Sequence, residues 1–449
     1  MKKVMGIIGA GALTASLVCG ATAAPAAHRA SAVISNDQFT VSVSSWFLTY
    51  GQKATPGYTQ FEDVVNAAYK RLYPNATVQW DLAGGASYLP KLTAELATGS
   101  ADDVIWTQGS LDGTHGGKAG YFQDLSKLPV MAKIPNAKAY AFTTSYGGKT
   151  YAIPYNVDAF GVFYNKALFK KAGIAAVPAT WTQFIAAADK LKAAGIAPIA
   201  GGFGDPWVPQ LAFLCTATDN ATAAYKDPIS WGAQAQRGRI SLDGPPLFNA
   251  LLDYQVLQDK GYYPKDDLTT HGAALYQRLA QGRYGMDIDG DWTPGGMVGN
   301  DVAVGPNIGY FPLPSSTAKT VVPISPGALI AVNAKSKRLA EADNLVGVLM
   351  SDAAVAAIDV NAPLHGFTSP APKGLLPVYA ELNHYLSTLS PAPLATGFIS
   401  GSAMTAINKL LTSVLSGQAV TQDQLHATLQ EANKANQLDK ATVILPPGY

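Results

Sequence analysis

At 449 residues the chain is too long for a single hydrophobic core and predicts two domains or three. Hydrophobic residues at 48% against 14% charged describe a folded protein with a large interior and exclude a disordered chain. A net charge of +1, with no long run of Lys or Arg, lacks the electrostatic footprint that nucleic acid or an anionic membrane surface requires.

The first residues form an address rather than a fold element. Lys2 and Lys3 precede the apolar stretch Val4 to Val18, and Ala21, Thr22 and Ala23 supply an A-x-A cleavage signal. Residues 1–23 are therefore expected to be a secretory signal peptide, and the mature chain to be periplasmic or at the cell surface. Lipid anchoring at Cys19 is the lesser alternative, because Leu17 and Val18 stand where a small residue is needed. No other apolar run approaches the ~20 residues that span a bilayer. Once Cys19 leaves, Cys215 stands alone without a disulfide partner, and beside Leu211, Phe213 and Leu214 it reads as a small buried hydrophobe.

Strands then alternate with amphipathic helices, the pattern of an α/β fold with largely parallel sheets. Phe39, Val41 and Val43 alternate into a strand, and Phe61, Val64, Val65, Ala68, Tyr69 and Leu72 share one helix face up to Pro74. Val78 and Trp80 begin a second strand. Tyr88, Leu92 and Leu96 form a helical stripe closed by Gly99, a natural C′ residue, and Asp103 to Trp106 form a third strand. Gly147 to Lys149 mark a turn, Tyr151, Ile153 and Tyr155 alternate into a strand beside Pro154, and Gly161 to Tyr164 form another that stops at Asn165 and Lys166. Thr180 followed by Gln183 reads as a capping box that opens a helix at Trp181. Ala197 to Ala200, Tyr284 to Ile288 and the stretch from Val322 to Val332 complete the strand list.

Several of these segments carry a resemblance. Gly148 to Pro154, Phe163 to Ile174 and Pro178 to Phe184 are similar to the G-K-x-Y-x-x-P, Y-Y-N-K-x-x-F-x-K-A-G-I and P-x-T-W-x-x-F run of the extracellular solute-binding proteins of bacterial ABC sugar importers, the maltose-binding-protein-like family. Tyr73 to Val78, Leu96 to Val104, Gly120 to Leu125, Gln277 to Trp292 and Gly309 to Pro314 resemble further family segments, with Asp102 where proline is usual. The resemblance implies a two-lobed type II periplasmic-binding-protein fold, its lobes joined by crossover strands with a ligand cleft between them. The N-terminal lobe is expected over residues 36–155 with 323–370 and the C-terminal lobe over 156–322 with 371–449. It implies a monomeric receptor that presents a mono- or oligosaccharide to ABC permease subunits and needs no cofactor.

Sugars are held by aromatic rings stacked on their apolar faces and by short polar side chains that bond their hydroxyls. Trp292 is the first candidate, because Gly290, Asp291 and Trp292 match the family's G-x-W after a strand, with Asp291 as the adjacent hydroxyl acceptor. Asp205 and Trp207 follow the strand at Ala197 to Ala200, where open α/β sheets bind ligands. Trp46 just past the first strand and Gln108 just past the third occupy the same topological place, although Trp46 could instead close a core. Asp158, in an apparent turn at Asn156 to Asp158, stands where the family sets a polar residue facing ligand, or bonds its own backbone.

A secreted polysaccharide-active enzyme is the alternative. Glycoside hydrolysis needs two carboxylates flanking one bond, and the chain has only five Glu, most of them on amphipathic helices. Asp287, Asp289 and Asp291 alternate along one strand like a carboxylate cluster, but not at EF-hand spacing, so no metal is expected. Gly113 to Ala119 is glycine-rich, lacks the residues of a phosphate loop and reads as a loop, and the six histidines show no ligand spacing.

Overall fold

The computed structural model of the chain describes residues 33–46, 48, 58–82, 87–134, 137–225, 227–358, 364, 366–367 and 375–439. The signal-peptide and Cys19 expectations lie outside these residues. In chain order the strands are β1 Thr40–Ser45, β2 Thr77–Leu82, β3 Val104–Thr107, β4 Ser145–Tyr146, β5 Lys149–Thr150, β6 Ile153–Pro154, β7 Val157–Asn165, β8 Ala197–Ala200, β9 Tyr284–Gly290, β10 Ile308–Phe311, β11 Val322–Pro326, β12 Leu329–Val332 and β13 Pro391–Pro393. They build one sheet in the order β2-β1-β3-β12-β6, a second in the order β13-β11-β7-β9-β8 with β10 also on β7, and the β4-β5 hairpin.

Each sheet has its own interior. Val41, Val43, Val104, Ile105, Trp106, Ile330 and Val332 of the first sheet pack with Phe61, Val65 and Tyr69 of the helix Tyr58–Leu72, the face marked by its 3- and 4-residue steps. In the second, β7 is apolar on both faces: Phe160 and Val162 enter one core, Ala159 and Phe163 the other. A strand covered on both sides reads as a continuous hydrophobic run. Cys215 is buried in the helix Leu211–Tyr225, within the larger of these cores.

The sheets are mixed rather than largely parallel, because β7 runs antiparallel to β9, β10 and β11. The reason is connectivity: β7 enters from the first sheet, against the direction of β8 and β9, which are parallel to one another. The expected strand through Tyr151 to Tyr155 is reduced to Ile153–Pro154, and a separate short strand, β5, precedes it. Gly147 and Gly148 have φ of +57° and +78°, which closes the tight β4-β5 hairpin, whereas Ile153 and Pro154 pair with β12. The glycine-rich stretch expected as a loop is the helix Gly113–Ala119, opened by Asp112, whose carboxylate accepts from the His115 amide at 2.9 Å. Its glycines answer to packing: a Cβ on Gly113, Gly116 or Gly117 would meet Ala152, Phe122 or Tyr151 at 2.7, 2.2 and 2.3 Å. Trp231 lies buried in the helix Pro228–Gln236.

Two crossovers join the sheets, Pro154 to Val157 and Pro326 to Leu329, and they are bonded to each other. The amides of Tyr155 and Asn156 donate to the Ala328 carbonyl at 2.9 and 3.3 Å, and the Gly327 amide donates to the Asn156 carbonyl at 3.1 Å. Strand β11, whose last four residues were expected in the N-terminal lobe, pairs with β7 and β13 of the second sheet.

Candidate functional site

Register places the functional edge. Leu329, where β12 begins, is opposite both Thr107, the end of β3, and Pro154. Phe160, near the start of β7, is opposite Gly290, the end of β9, and Pro326 is opposite Val157. The carboxyl ends of β1 and β3 in one sheet, and of β8 and β9 in the other, therefore point to the edges from which the crossovers leave. Loops at the carboxyl ends of strands are where open α/β sheets bind ligands.

After β9 the chain turns through Asp291 and Trp292 into the helix Thr293–Asn300. The Trp292 ring folds back across Gly290, where a Cβ would meet it at 2.2 Å, so the glycine of the G-x-W motif is a steric requirement of the tryptophan. Trp292 stands edge-on to Phe160 at 5.7 Å and 84°, and to Trp207 at 5.7 Å and 71°. Trp207 comes from the loop after β8 and is 40% exposed, an unusual setting for the largest side chain. The three rings form a row from the core to solvent, and edge-to-face contact is the favoured aromatic arrangement.

Around the row lie buried carboxyls. Asp287 and Asp289 share one face of β9, where Asp287 accepts from the Thr293 hydroxyl at 3.3 Å and Asp289 from the Gly290 amide at 2.9 Å and the Tyr276 hydroxyl at 3.4 Å. Asp291 accepts from the Ala159 amide at 3.3 Å. Burial pushes the carboxyls of Asp287 and Asp291 well above the ordinary range, with the charges of Asp289 and Asp158 respectively adding to the effect. Asp158 is not in a turn but within β7, opposite Ser325. Its Oδ1 accepts from the Asn156 side-chain amide at 2.5 Å, and the Asn156 Oδ1 accepts from the Ala328 amide at 2.5 Å. A Cβ on Gly327 would meet Asp158 Oδ2 at 2.2 Å, so the crossover glycine makes room for this carboxyl. Burial, opposed by the hydrogen bond from Asn156 and aided by the Asp289 charge, raises Asp158 to about 7. Among the described residues, no group of three or more His, Cys, Asp or Glu side chains is arranged to hold a metal ion.

The structure thus brings Trp207, Asp291, Trp292 and Asp158 to one sheet edge. Asp205 shares that loop, but both its oxygens are engaged, Oδ1 with the His271 Nδ1 at 2.9 Å and Oδ2 with the Gly272 amide at 2.8 Å. Gln108 is half-buried just past β3, where its carbonyl accepts from the Leu111 amide at 3.2 Å. Trp46 is only 7% exposed and packs against Tyr88 at 5.4 Å in the first core. Phe160 and Tyr276 escaped the sequence reading, which noted Asn156 only as part of a turn and Asp289 only as part of an alternating carboxylate run. Gly290 and Gly296 were the available signals, since Gly296 lies beneath the Tyr276 ring as Gly290 lies beneath Trp292.

Residues 52–356 match the family model described as bacterial extracellular solute-binding protein. The multiple sugar-binding protein of Streptococcus mutans is 27% identical over 265 residues, which are 57% of this chain and 60% of that protein's length. In fold, the chain is similar to a chitin oligosaccharide binding protein, with TM-score 0.76 and 21% identity over 89% of this chain and 99% of the other. It is also similar to the solute-binding protein RafE in complex with raffinose, with TM-score 0.70 and 20% identity over 89% and 100%. These structural likenesses establish the two-lobed type II architecture. With well over half of its length matched by the family model, the chain belongs to the bacterial extracellular solute-binding proteins.

Proposed function

We propose that the protein is an extracytoplasmic receptor that captures a mono- or oligosaccharide at the crossover edge and delivers it to an ABC import permease. The observation that carries this reading is the Phe160, Trp292 and Trp207 row, which ends in the exposed Trp207 ring and whose middle member follows the buried Asp291 in the chain. A relative named for multiple sugars and a fold neighbour solved with raffinose support it. Trp292 and Trp207 offer ring faces or edges to a sugar, and Asp158, Asp291 and Gln108 offer hydroxyl partners. A carboxyl held neutral by burial both donates and accepts, which suits a hydroxyl that does the same. Binding requires only that the closed state hold ligand better than the open one, so no catalytic group is needed.

The test is a thermal-shift screen of the secreted chain against neutral mono-, di- and trisaccharides, followed by calorimetry. A ligand at 100 times its Kd adds about 2.7 kcal/mol of stability. Trp292→Ala is expected to weaken that ligand by about 2 kcal/mol, near thirtyfold, with little change in the ligand-free melting midpoint. A panel without any shift, or recovery of a cleaved saccharide, overturns the receptor reading. Unchanged affinity with a collapsed midpoint assigns Trp292 to the core instead.

A further inference from the structure

Trp207 and Trp292 hang from different strands, and a 5.7 Å edge-to-face contact between rings on separate loops persists only if something fixes one loop against the other. The segment from Lys265 to Ala280 is bonded to both. On the Trp207 side, the Gly201 amide donates to the Asp267 carboxylate at 2.9 Å, the Phe203 amide to the Asp267 carbonyl at 3.1 Å and the Gly204 amide to the Thr270 carbonyl at 3.0 Å. The Asp205 carboxylate then closes the lacing: Oδ1 lies 2.9 Å from His271 Nδ1, and Oδ2 accepts from the Gly272 amide at 2.8 Å. Gly272 is the first residue of the helix Gly272–Ala280, whose leading amides have no partner inside the helix, so an acidic side chain there is doubly favoured.

On the Trp292 side, the same helix carries Tyr276. Its hydroxyl lies 3.4 Å from Asp289 Oδ2, and its ring covers Gly296 of the helix that Trp292 opens. Asp267 anchors the segment from beneath, fully buried, accepting from the Tyr284 hydroxyl at 2.6 Å and from Arg278 at 3.3 Å. Above that anchor, Asp205 is the side chain nearest in sequence to Trp207 that ties its loop to this segment, and the Val208 amide returns to the Asp205 carbonyl at 3.1 Å to carry the tie past the ring.

We propose that Asp205 is a positioning residue, which sets the Trp207 ring against Trp292 by bonding the His271 imidazole and the leading amide of the next helix. It touches no ligand itself. Its effect on saccharide affinity rests on the functional reading above, whereas its effect on the ring does not.

The experiment uses the full mature chain labelled with 5-fluorotryptophan. The Trp207 fluorine resonance is assigned as the one that Trp207→Phe removes. Without ligand, Asp205→Ala is expected to shift and broaden that resonance and disturb Trp292, leaving Trp181 and Trp231 in place, while Asp205→Asn, which can still accept from the Gly272 amide, holds it near its original position. With any saccharide found to bind, affinity is expected to fall several-fold in D205A and to be largely retained in D205N. Should D205A fail to fold, two milder variants carry the same reading. His271→Ala removes a ring that is 67% exposed, and Gly272→Pro removes only the donating amide at a helix position that accepts proline. Both are expected to move the Trp207 resonance in the D205A direction. A Trp207 resonance unmoved in D205A, or in both milder variants if D205A does not fold, overturns the proposal.

Discussion

At the scale of single residues, Asp158 is the side chain whose setting has the plainest thermodynamic consequence. Its carboxyl lies at the crossover and is raised from 3.8 to about 7, first by burial and then by the Asp289 charge, with the Asn156 hydrogen bond opposing. The folded state therefore keeps a proton that the unfolded chain has released, and stability falls as pH rises between about 4 and about 7, then levels off. Asp158→Asn keeps an acceptor for Asn156 and removes the titration. Ligand-free Asp158→Asn is expected to melt progressively higher relative to the parent as pH climbs through that window, with the difference smallest near pH 4. A difference that does not change with pH contradicts the burial argument. The family resemblance marked this position as a polar residue facing ligand, in an apparent turn at Asn156 to Asp158, yet the sequence could not tell a turn from a strand there. What fixes the strand is the partner β11, more than 160 residues away in the chain, and the glycine at 327 that opposes the carboxyl. The seat of Trp292 at the end of its strand was legible for the converse reason: its glycine stands two residues away in the same motif. Trp46, at an equivalent strand end, is turned inward by Tyr88, a contact that topology alone does not announce.

At the scale of elements, local signals served well where they were sufficient. Gly99 closes its helix with φ of +78°, as the stripe ending at Leu96 implied. The Thr180 hydroxyl accepts from the Gln183 amide at 3.3 Å, but the Gln183 side chain accepts from the Ala179 amide at 2.8 Å, one residue before the position that a capping box requires. The full reciprocal box is at Thr421 and Gln424. The glycine-rich helix Gly113–Ala119 went unread because low propensity outweighed its Asp112 cap, and the packing that compels the glycines lies outside the segment. Gly113→Ala tests which effect wins. Alanine in place of glycine favours a helix by about 1 kcal/mol, but the new Cβ would stand 2.8 Å from the Ala152 nitrogen and the Thr144 oxygen, backbone atoms that cannot rotate away. Overpacking of this kind typically costs about 1–3 kcal/mol. The expected outcome is a lower thermal midpoint with secondary structure retained by circular dichroism; a midpoint raised by the substitution means that propensity prevails and that the hairpin yields.

At the scale of the molecule, two sheets, each with its own packed interior and joined by two hydrogen-bonded crossovers, favour rigid-body closure over free tethering, since only the few residues between the sheets need change their backbone angles. No disulfide clamps the lobes among the described residues, where the free cysteine, Cys215, is buried in one core. Away from the crossovers the lobes also touch through aromatic rings. Phe142, on the short helix Ala141–Thr144 held to the first lobe by the Thr114 hydroxyl at 3.1 Å, lies 5.2 Å from Phe398, which is buried at the end of the 3-10 turn Ala395–Phe398 that follows β13 of the second sheet. Phe142 is half-buried, so Phe142→Ala is expected to enlarge the ligand-free scattering radius by weakening this contact while lowering the melting midpoint little. Saturating saccharide is expected to shrink the radius of the parent and to shift tryptophan emission as water leaves Trp207, whose exposure at 40% is the largest reserve of solvent contact in the aromatic row. In Phe142→Ala the ligand-induced contraction should be larger, because the starting state is more open and the closed state is set by ligand contacts. A ligand that binds tightly yet leaves both the scattering curve and the emission unmoved would establish a preformed site, and lobe closure would then play no part in capture.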